Sequence, residues 1–330
     1  MQFKNSNMFY LFRKAHLLQL FAGVVVLLLC GVEIFVKHFD VSALNDSLPC
    51  MVSLSQWLTQ HPLAEKFFFL FLLLIQAALI FNYVRRSGFL DEENVLSILF
   101  FCVFSLGMGI LLPPSPAWFT NTAILIVLNL VSFSAAKSRF TLLFAGIVLG
   151  TASLFDLTAV LLTVFFLLYV LINQIDKLRD LLATLCGLIL PYLYLLAYHY
   201  IAGTFPKYFH SLLHPHLFFP FFTQSHLSVY TIVAMALMLL LTIYVMVRLK
   251  VLYNNKLIVV RKRLLFLCIL FCFNIAMLLV TNTPFPYSLS YLLIPVTVLT
   301  ISFIPTRNFA ISTEILLSLL TASLVVMARM

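Results

Sequence analysis

Long runs of apolar residues, separated by short polar segments, extend along the whole chain. A helix needs about 20 apolar residues to cross the hydrocarbon core of a bilayer, and fewer where protein shields its ends. About eleven runs meet this requirement, and they predict an all-α fold, a polytopic bundle of transmembrane helices that forms a single integral membrane domain over residues 1–330. The predicted spans are Leu17–Val36, Phe67–Val84, Val95–Leu112, Trp118–Ala135, Phe140–Phe155, Leu157–Ile175, Leu181–Ile201, Leu227–Val247, Leu264–Val280, Tyr287–Ile304 and Phe309–Ala328.

The Lys and Arg residues concentrate in every second loop between these spans, and therefore on one side of the predicted membrane. With the N-terminus in the cytoplasm, all but four of the 20 Lys and Arg residues lie in cytoplasmic segments. The four exceptions are Lys37, Lys66, Lys207 and Arg329. Because cytoplasmic loops of membrane proteins are enriched in Lys and Arg, the distribution predicts this orientation. It also accounts for the net charge of +9 without a nucleic-acid partner.

Asp156 is the only charged residue in the 36-residue segment from Phe140 to Ile175. A single helix of that length would be about 54 Å long, which is too long for one crossing. We therefore predict that the chain turns at Asp156, between two short spans, and that this turn faces outward. The carboxylate is suited to cap the helix that follows, because it can accept hydrogen bonds from the free N–H groups of the first turn. A binding role at the outer face remains open beside the capping role.

The composition narrows the choice of function. Hydrophobic residues make up 63% of the chain and the mean hydropathy is +1.10, so the protein belongs to the membrane class and is expected to contact membrane lipids. Phe is abundant (34 residues) and Gly is sparse (9), which predicts helix packing through large side chains rather than through small residues. There is no nucleotide-binding or zinc motif, and we expect no cofactor.

The first predicted outer loop, residues 37–66, contains the candidate catalytic acids Asp40 and Asp46. Its middle has the spacing of an amphipathic helix lying in the membrane interface, with one apolar face formed by Met51, Leu54, Trp57 and Leu58. Carboxylates held over such a surface suit a general base that acts on a lipid-linked substrate. Acids in outer loops also occur simply as solvated groups, and both interpretations stand.

The second predicted outer loop, residues 202–226, is rich in aromatic residues and histidines. His210 and His214 have the i, i+4 spacing that places two imidazoles on one helix face. Pro215 would interrupt the helix directly after His214, and the pair has no neighbouring carboxylate. We therefore predict no metal and interpret the histidines as interface residues that are candidates for binding.

Two segments resemble known membrane proteins: "FNYVRRSGFLDEENVLSILFFCVFSLGMGILLP" and "LLFAGIVLGTASLFDLTAVLLTVFFLLYVLINQIDKLRDLLATLCGLILPYLYLLAYHYIAG". They resemble an uncharacterised family of bacterial inner-membrane proteins, a domain of unknown function. The resemblance covers about Phe81–Gly203 and rests on Gly146, Gly150, Ala152, Ser153, Leu154, Arg179, Gly187 and Pro191. It implies the bacterial inner (cytoplasmic) membrane as location, and we expect Arg179 to contribute to binding.

The same passage is more distantly similar to the membrane core of GT-C type glycosyltransferases, which transfer sugars from polyprenyl-phosphate donors at the outer face. That resemblance implies that Asp40 or Asp46 is the catalytic base, although this chain has no clear adjacent acidic pair and no appended outer domain. The leading expectation is an envelope-biogenesis protein that acts on or near a polyprenyl-linked glycan. A non-catalytic scaffold for other membrane proteins is the alternative. A small-solute transporter, for which Glu314 in the last predicted span is the candidate acid, is the third.

Overall fold

The computed structural model describes residues 24–28, 30–32, 34–35, 48–89, 96–107, 116–133, 139–156, 158–173, 177–206, 208, 257–280 and 289–303. All regular secondary structure in these ranges is helical, which agrees with the predicted all-α class. The helices are α1 (Pro49–Gln60), α2 (Pro62–Ser87), α3 (Leu96–Gly107), α4 (Ala117–Phe133), α5 (Arg139–Ser153), α6 (Thr158–Asn173), α7 (Lys177–Ile201), α8 (Ile258–Val280) and α9 (Leu293–Phe303). A 3-10 turn, Leu289–Leu292, directly precedes α9.

Within the described residues, α2 and α7 (from Leu178 onward) are long and apolar enough to cross a membrane. In their most apolar stretches, 44% of the residues of α2 but only 17% of those of α7 are buried in the protein. Helices α2 to α9 each coincide with one predicted span. The predicted spans 227–247 and 309–328 lie outside the described residues. The total of about eleven spans stays a prediction.

Helices α5 and α7 run parallel and approach each other through glycines. A Cβ atom added to Gly146 would lie 2.3 Å from the carbonyl oxygen of Thr184, and one added to Gly187 would lie 2.2 Å from that of Leu143. A Cβ atom added to Gly150 would lie 2.5 Å from the carbonyl oxygen of Leu188. Larger residues would therefore push the two helices apart. The expectation of packing through large side chains is wrong for this helix pair, because the spacing of the glycines matters more than their number.

Phenylalanine fills the main core, which α2, α3, α4, α6, α8 and α9 share. Phe165 of α6 stacks on Phe266 of α8 with ring centroids 5.0 Å apart. Phe69 of α2 meets Trp118 of α4 edge to face at 5.6 Å. Large side chains therefore pack this part of the bundle, as the Phe content led us to expect.

Amide side chains join α2 to α4 inside the apolar bundle. Asn82 donates from Nδ2 to Oδ1 of Asn129 at 3.0 Å, and Asn129 donates to a backbone oxygen of each helix. Gln76 donates to the backbone oxygen of Trp118 at 3.0 Å and to the hydroxyl of Thr122 at 2.9 Å. Such bonds between helices stabilise packing where apolar surroundings offer no other partner.

Contacts between helices define two ends of the bundle. At one end, which we call the Asp156 end, the end of α5 meets the start of α4 and the 3-10 turn. At the other end, which we call the arginine end, Arg263 of α8 donates to the backbone oxygens of Arg86 and Ser87 at the end of α2. Helices α2, α4, α6 and α9 begin at the Asp156 end, and α5, α7 and α8 begin at the arginine end.

The glycine contact makes a testable prediction about stability. Gly187→Ala should destabilise the protein by about 1–3 kcal/mol, because the new methyl group forces the backbone of α5 away. Thermal unfolding of the purified protein measures the loss. Gly31→Ala is the matched control, since its Cβ would meet only the side chain of Leu70 at an ordinary 3.5 Å. Equal unfolding temperatures for the two variants would contradict the close approach of α5 and α7.

Candidate functional site

The chain turns at Asp156, at the junction of α5 and α6. Helix α5 ends at Ser153, residues 154–155 form a turn, and α6 begins at Thr158. The backbone N–H of Asp156 donates to the oxygen of Ala152 at 3.0 Å, and its backbone oxygen accepts from the N–H of Ala159 at 3.1 Å. The predicted turn is therefore present at the predicted residue, and it separates two short helices.

The carboxylate of Asp156 is buried, with 4% of the residue exposed. Its Oδ2 atom accepts a hydrogen bond from the hydroxyl of Thr120 in α4 at 2.5 Å and another from the hydroxyl of Tyr291 in the 3-10 turn at 2.7 Å. Hydrogen bonds to a carboxylate are stronger than neutral ones, and they offset the cost of several kcal/mol for burying a charge. Oδ2 thus joins three elements, a role that the predicted capping of α6 did not include.

Two buried asparagines hold the 3-10 turn that carries Tyr291. Asn121 of α4 donates from Nδ2 to the backbone oxygen of Ser290 at 2.9 Å, and Asn274 of α8 donates to that of Tyr291 at 2.6 Å. Neither asparagine is more than 1% exposed. Their Oδ1 atoms have no hydrogen-bond partner among the described residues, which costs about 1–3 kcal/mol for each buried acceptor. These two oxygens are acceptors that a bound ligand would satisfy.

We call Thr120, Asn121, Asp156, Asn274 and Tyr291 the Asp156 cluster. Sequence analysis identified only Asp156, because its partners lie far from it in the chain: Thr120 is 36 residues away and Tyr291 is 135. Each partner is a polar residue in an apolar run, and this pattern alone is weak evidence that a residue belongs to a functional site. Asn82 and Asn129 show the same pattern and only join α2 to α4.

Helix α1 packs on two phenylalanines that are sequence neighbours of cluster residues. Met51 is fully buried and packs on Phe119 and Phe155, which directly precede Thr120 and Asp156 in the sequence. The two phenylalanine rings stack with centroids 4.4 Å apart. The predicted helix is present, but its apolar face packs partly on protein, since Met51 is buried like Leu58 whereas Trp57 is 50% exposed.

The start of α1 also contacts Tyr208, which follows α7 in the sequence and packs back on its last turns. The thiol of Cys50 lies 4.0 Å from the hydroxyl of Tyr208, whose ring stacks on His199 with centroids 4.0 Å apart. About two turns before His199 in α7, Tyr192 shares a hydrogen bond of 2.7 Å with Ser153. Burial raises the pKa of the Cys50 thiol, and the hydrogen bond with Tyr208 partly offsets this rise. Burial and the neighbouring thiol raise the pKa of Tyr208 as well, so both groups are neutral near pH 7.

The structure separates two of the predicted binding residues. Arg179 is exposed in the first turn of α7, 13 residues before Tyr192 and thus about 20 Å along the helix axis from the Asp156 end. Asp156 and Arg179 therefore lie at opposite ends of the bundle. The other candidates, Asp40, Asp46, His210 and His214, lie outside the described residues, so their roles stay predictions.

In the part of the chain that the structure describes, no group of three or more His, Cys, Asp or Glu side chains is placed to hold a metal ion. The oxygen atoms of the Asp156 cluster come instead from one carboxylate, two amides and two hydroxyls. Comparison of the chain with protein-family models, curated proteins and solved structures finds no match.

The hydrogen bond between Asp156 and Tyr291 should stabilise the fold measurably. We expect Asp156→Ala and Tyr291→Phe each to lower the free energy of unfolding, with a coupling energy of about 1.5–3 kcal/mol in a double-mutant cycle. Asp156→Ala with Thr163→Val is the control, because the hydroxyl of Thr163 bonds to the oxygen of Ala159 in its own helix. Additive effects in both cycles would show that the Asp156–Tyr291 bond contributes nothing.

The packing of Met51 should control access to Cys50. We expect Met51→Ala to raise the rate at which maleimide modifies Cys50 at neutral pH, because loosening α1 exposes the thiol and lowers its raised pKa toward the ordinary value. Peptide mass spectrometry follows this one cysteine among the six. Gln60→Ala changes an exposed residue of the same helix and is the control. An unchanged rate in Met51→Ala would mean that Met51 does not hold α1 in place.

Proposed function

We propose that this chain is a multi-pass protein of the bacterial cytoplasmic membrane, with the N-terminus inside and the Asp156 end facing outward. The charges of the described helix ends support this orientation. Cations concentrate at the arginine end, which holds Arg85, Arg86, Arg179, Arg261, Lys262 and Arg263. Under the positive-inside rule, that end is the cytoplasmic one.

Exposed aromatic residues near the Asp156 end support the same orientation of the protein in the membrane. Tyr194, Tyr198 and Tyr200 are more than 60% exposed near the end of α7, and Trp57 of α1 is half exposed. Tyr and Trp are enriched where a membrane meets water. The three tyrosines lie about 3–12 Å further along the α7 axis than Tyr192, which contacts Ser153 close to Asp156. The Asp156 cluster would then lie just inside the hydrocarbon boundary, below α1.

We propose further that the Asp156 end acts on or near a polyprenyl-linked glycan in envelope biogenesis. One observation carries this proposal: α1, the helix that follows Asp40 and Asp46 in the sequence, packs through Met51 against the two phenylalanines beside the Asp156 cluster. The described part of the first predicted outer loop, helix α1, therefore packs near the turn between α5 and α6. The resemblance to GT-C glycosyltransferases assigns the catalytic base to the same loop.

In this proposal the residues have distinct roles. Asp40 or Asp46 takes the proton from an acceptor hydroxyl as that oxygen bonds to the sugar and the bond from the sugar to polyprenyl phosphate breaks. Asp156 shapes the floor of the site through the hydroxyls of Thr120 and Tyr291. His210 and His214, in the second outer loop, are the candidates for contact with the phosphate of the donor.

Complementation of a deletion strain tests the function. We expect an Asp40→Ala/Asp46→Ala double variant to fail, and the purified wild-type protein to bind a polyprenyl-phosphate sugar. The control is Asp91→Ala/Glu92→Ala, which removes two acids from a predicted cytoplasmic loop. Full complementation by the Asp40/Asp46 variant, together with absent binding of the donor, would refute the enzymatic proposal.

The exposed face of α7 favours a scaffold as the second candidate. Its apolar residues include Leu178, Leu182, Ile189, Leu190 and Leu193, all of them about half exposed or more. A neighbouring membrane protein would cover such a face as well as lipid does. In the complementation experiment, a stoichiometric membrane protein that co-purifies with a fully active Asp40/Asp46 variant would select this candidate.

A further inference from the structure

We propose that the Asp156 cluster binds one small monovalent cation, with Na⁺ as the fitting ion. This inference goes beyond the proposed glycan function and does not depend on it. Its starting point is the pair of buried Oδ1 atoms of Asn121 and Asn274, which have no partner among the described residues. Both amide groups are already oriented, because each Nδ2 is bonded to the 3-10 turn.

The position of the two asparagines places their amides around one short segment. Asn121 reaches Ser290 from α4 and Asn274 reaches Tyr291 from α8, so the two amides bind consecutive residues of the turn. The side chain of Tyr291 continues from the same turn to the carboxylate of Asp156. Two amides with unsatisfied oxygen atoms and one carboxylate therefore all bond to a single four-residue element.

The chemistry of these groups favours a small alkali cation. Every potential ligand in the cluster is an oxygen atom, which suits hard cations and does not suit zinc or copper. The cluster contains one carboxylate and otherwise uncharged oxygen groups. Protein sites for Ca²⁺ are usually built with several carboxylates, so this set of oxygens suits a monovalent cation better. Carbonyl oxygens beside a broken helix are a recurrent sodium ligand set in membrane proteins.

The burial of the cluster would strengthen the binding of a positive ion. Asn121, Asp156, Asn274 and Tyr291 are all at most 4% exposed. Phe119 and Phe155, the sequence neighbours of Thr120 and Asp156, stack on each other and pack on Met51 of α1, which adds apolar surroundings at this end of the bundle. An ion in this site would interact with the oxygens at low dielectric, where its attraction to the carboxylate is strongest.

Thermal unfolding of the full-length purified protein in sodium chloride and in choline chloride, at equal ionic strength, tests the proposal. We expect sodium to raise the unfolding midpoint by about 5 °C when its concentration is about 100 times the Kd. Binding of radioactive sodium in equilibrium dialysis should reach one ion per chain. Equal midpoints in the two salts, or the absence of saturable sodium binding, would overturn the proposal.

Two variants locate the ion. Asn274→Leu and Asn121→Leu should each abolish the difference between the two salts, because each removes one of the unsatisfied oxygen atoms. Asn129→Leu is the matched control, because Asn129 is also an interhelix asparagine but has partners for both its amide nitrogen and its oxygen. It should lower the midpoint equally in both salts. A sodium effect that survives in both Leu variants at positions 121 and 274 would place the ion elsewhere and refute this site.

Discussion

The two hydroxyl groups that donate to Asp156 are the interaction on which this end of the structure depends. A carboxylate inside an apolar bundle costs several kcal/mol unless donors meet it. Thr120 and Tyr291 supply those donors from elements that are distant in the chain. Because both bonds end on one oxygen atom, the start of α4, the turn after α5 and the turn before α9 are fixed relative to one another.

The depth of that carboxylate depends on a second constraint, the close approach of α5 to α7. The glycines Gly146 and Gly150 are four residues apart on one face of α5, and Gly187 faces them from α7. Backbones in direct contact leave little freedom for sliding, so the end of α5 lies at a defined level beside Tyr192. On its other side the bundle is filled by phenylalanine, which adapts to the space that is left. Rigid glycine packing on one side and aromatic packing on the other together position Asp156.

Much of the fold, but little of the site, follows from the sequence. Apolar runs predict the helices because a membrane-length segment has few alternatives. The length of the run from Phe140 to Ile175 requires a turn, and the single charged residue in it, Asp156, indicates where the turn lies. The partners of Asp156 could not be predicted in this way. Thr120, Asn274 and Tyr291 lie in separate runs, and the apolar pattern does not reveal which face of each helix turns toward which neighbour. The close contact of α5 with α7 could not be predicted from composition either. The number of glycines does not show which of them lie on the same face of a helix.

Buried amide side chains occur in two arrangements in this structure, and only one of them suggests a binding site. Between α2 and α4, Asn129 has partners for its amide nitrogen and for its oxygen, and such an arrangement needs nothing further from outside. At the Asp156 end, Asn121 and Asn274 use their nitrogen atoms to hold a turn and leave their oxygen atoms without a partner among the described residues. A chain in which 9% of the residues are charged has few polar groups to spare. Leaving two buried acceptors unsatisfied in the same cluster as a carboxylate is costly for folding alone, and a bound ligand would offset that cost.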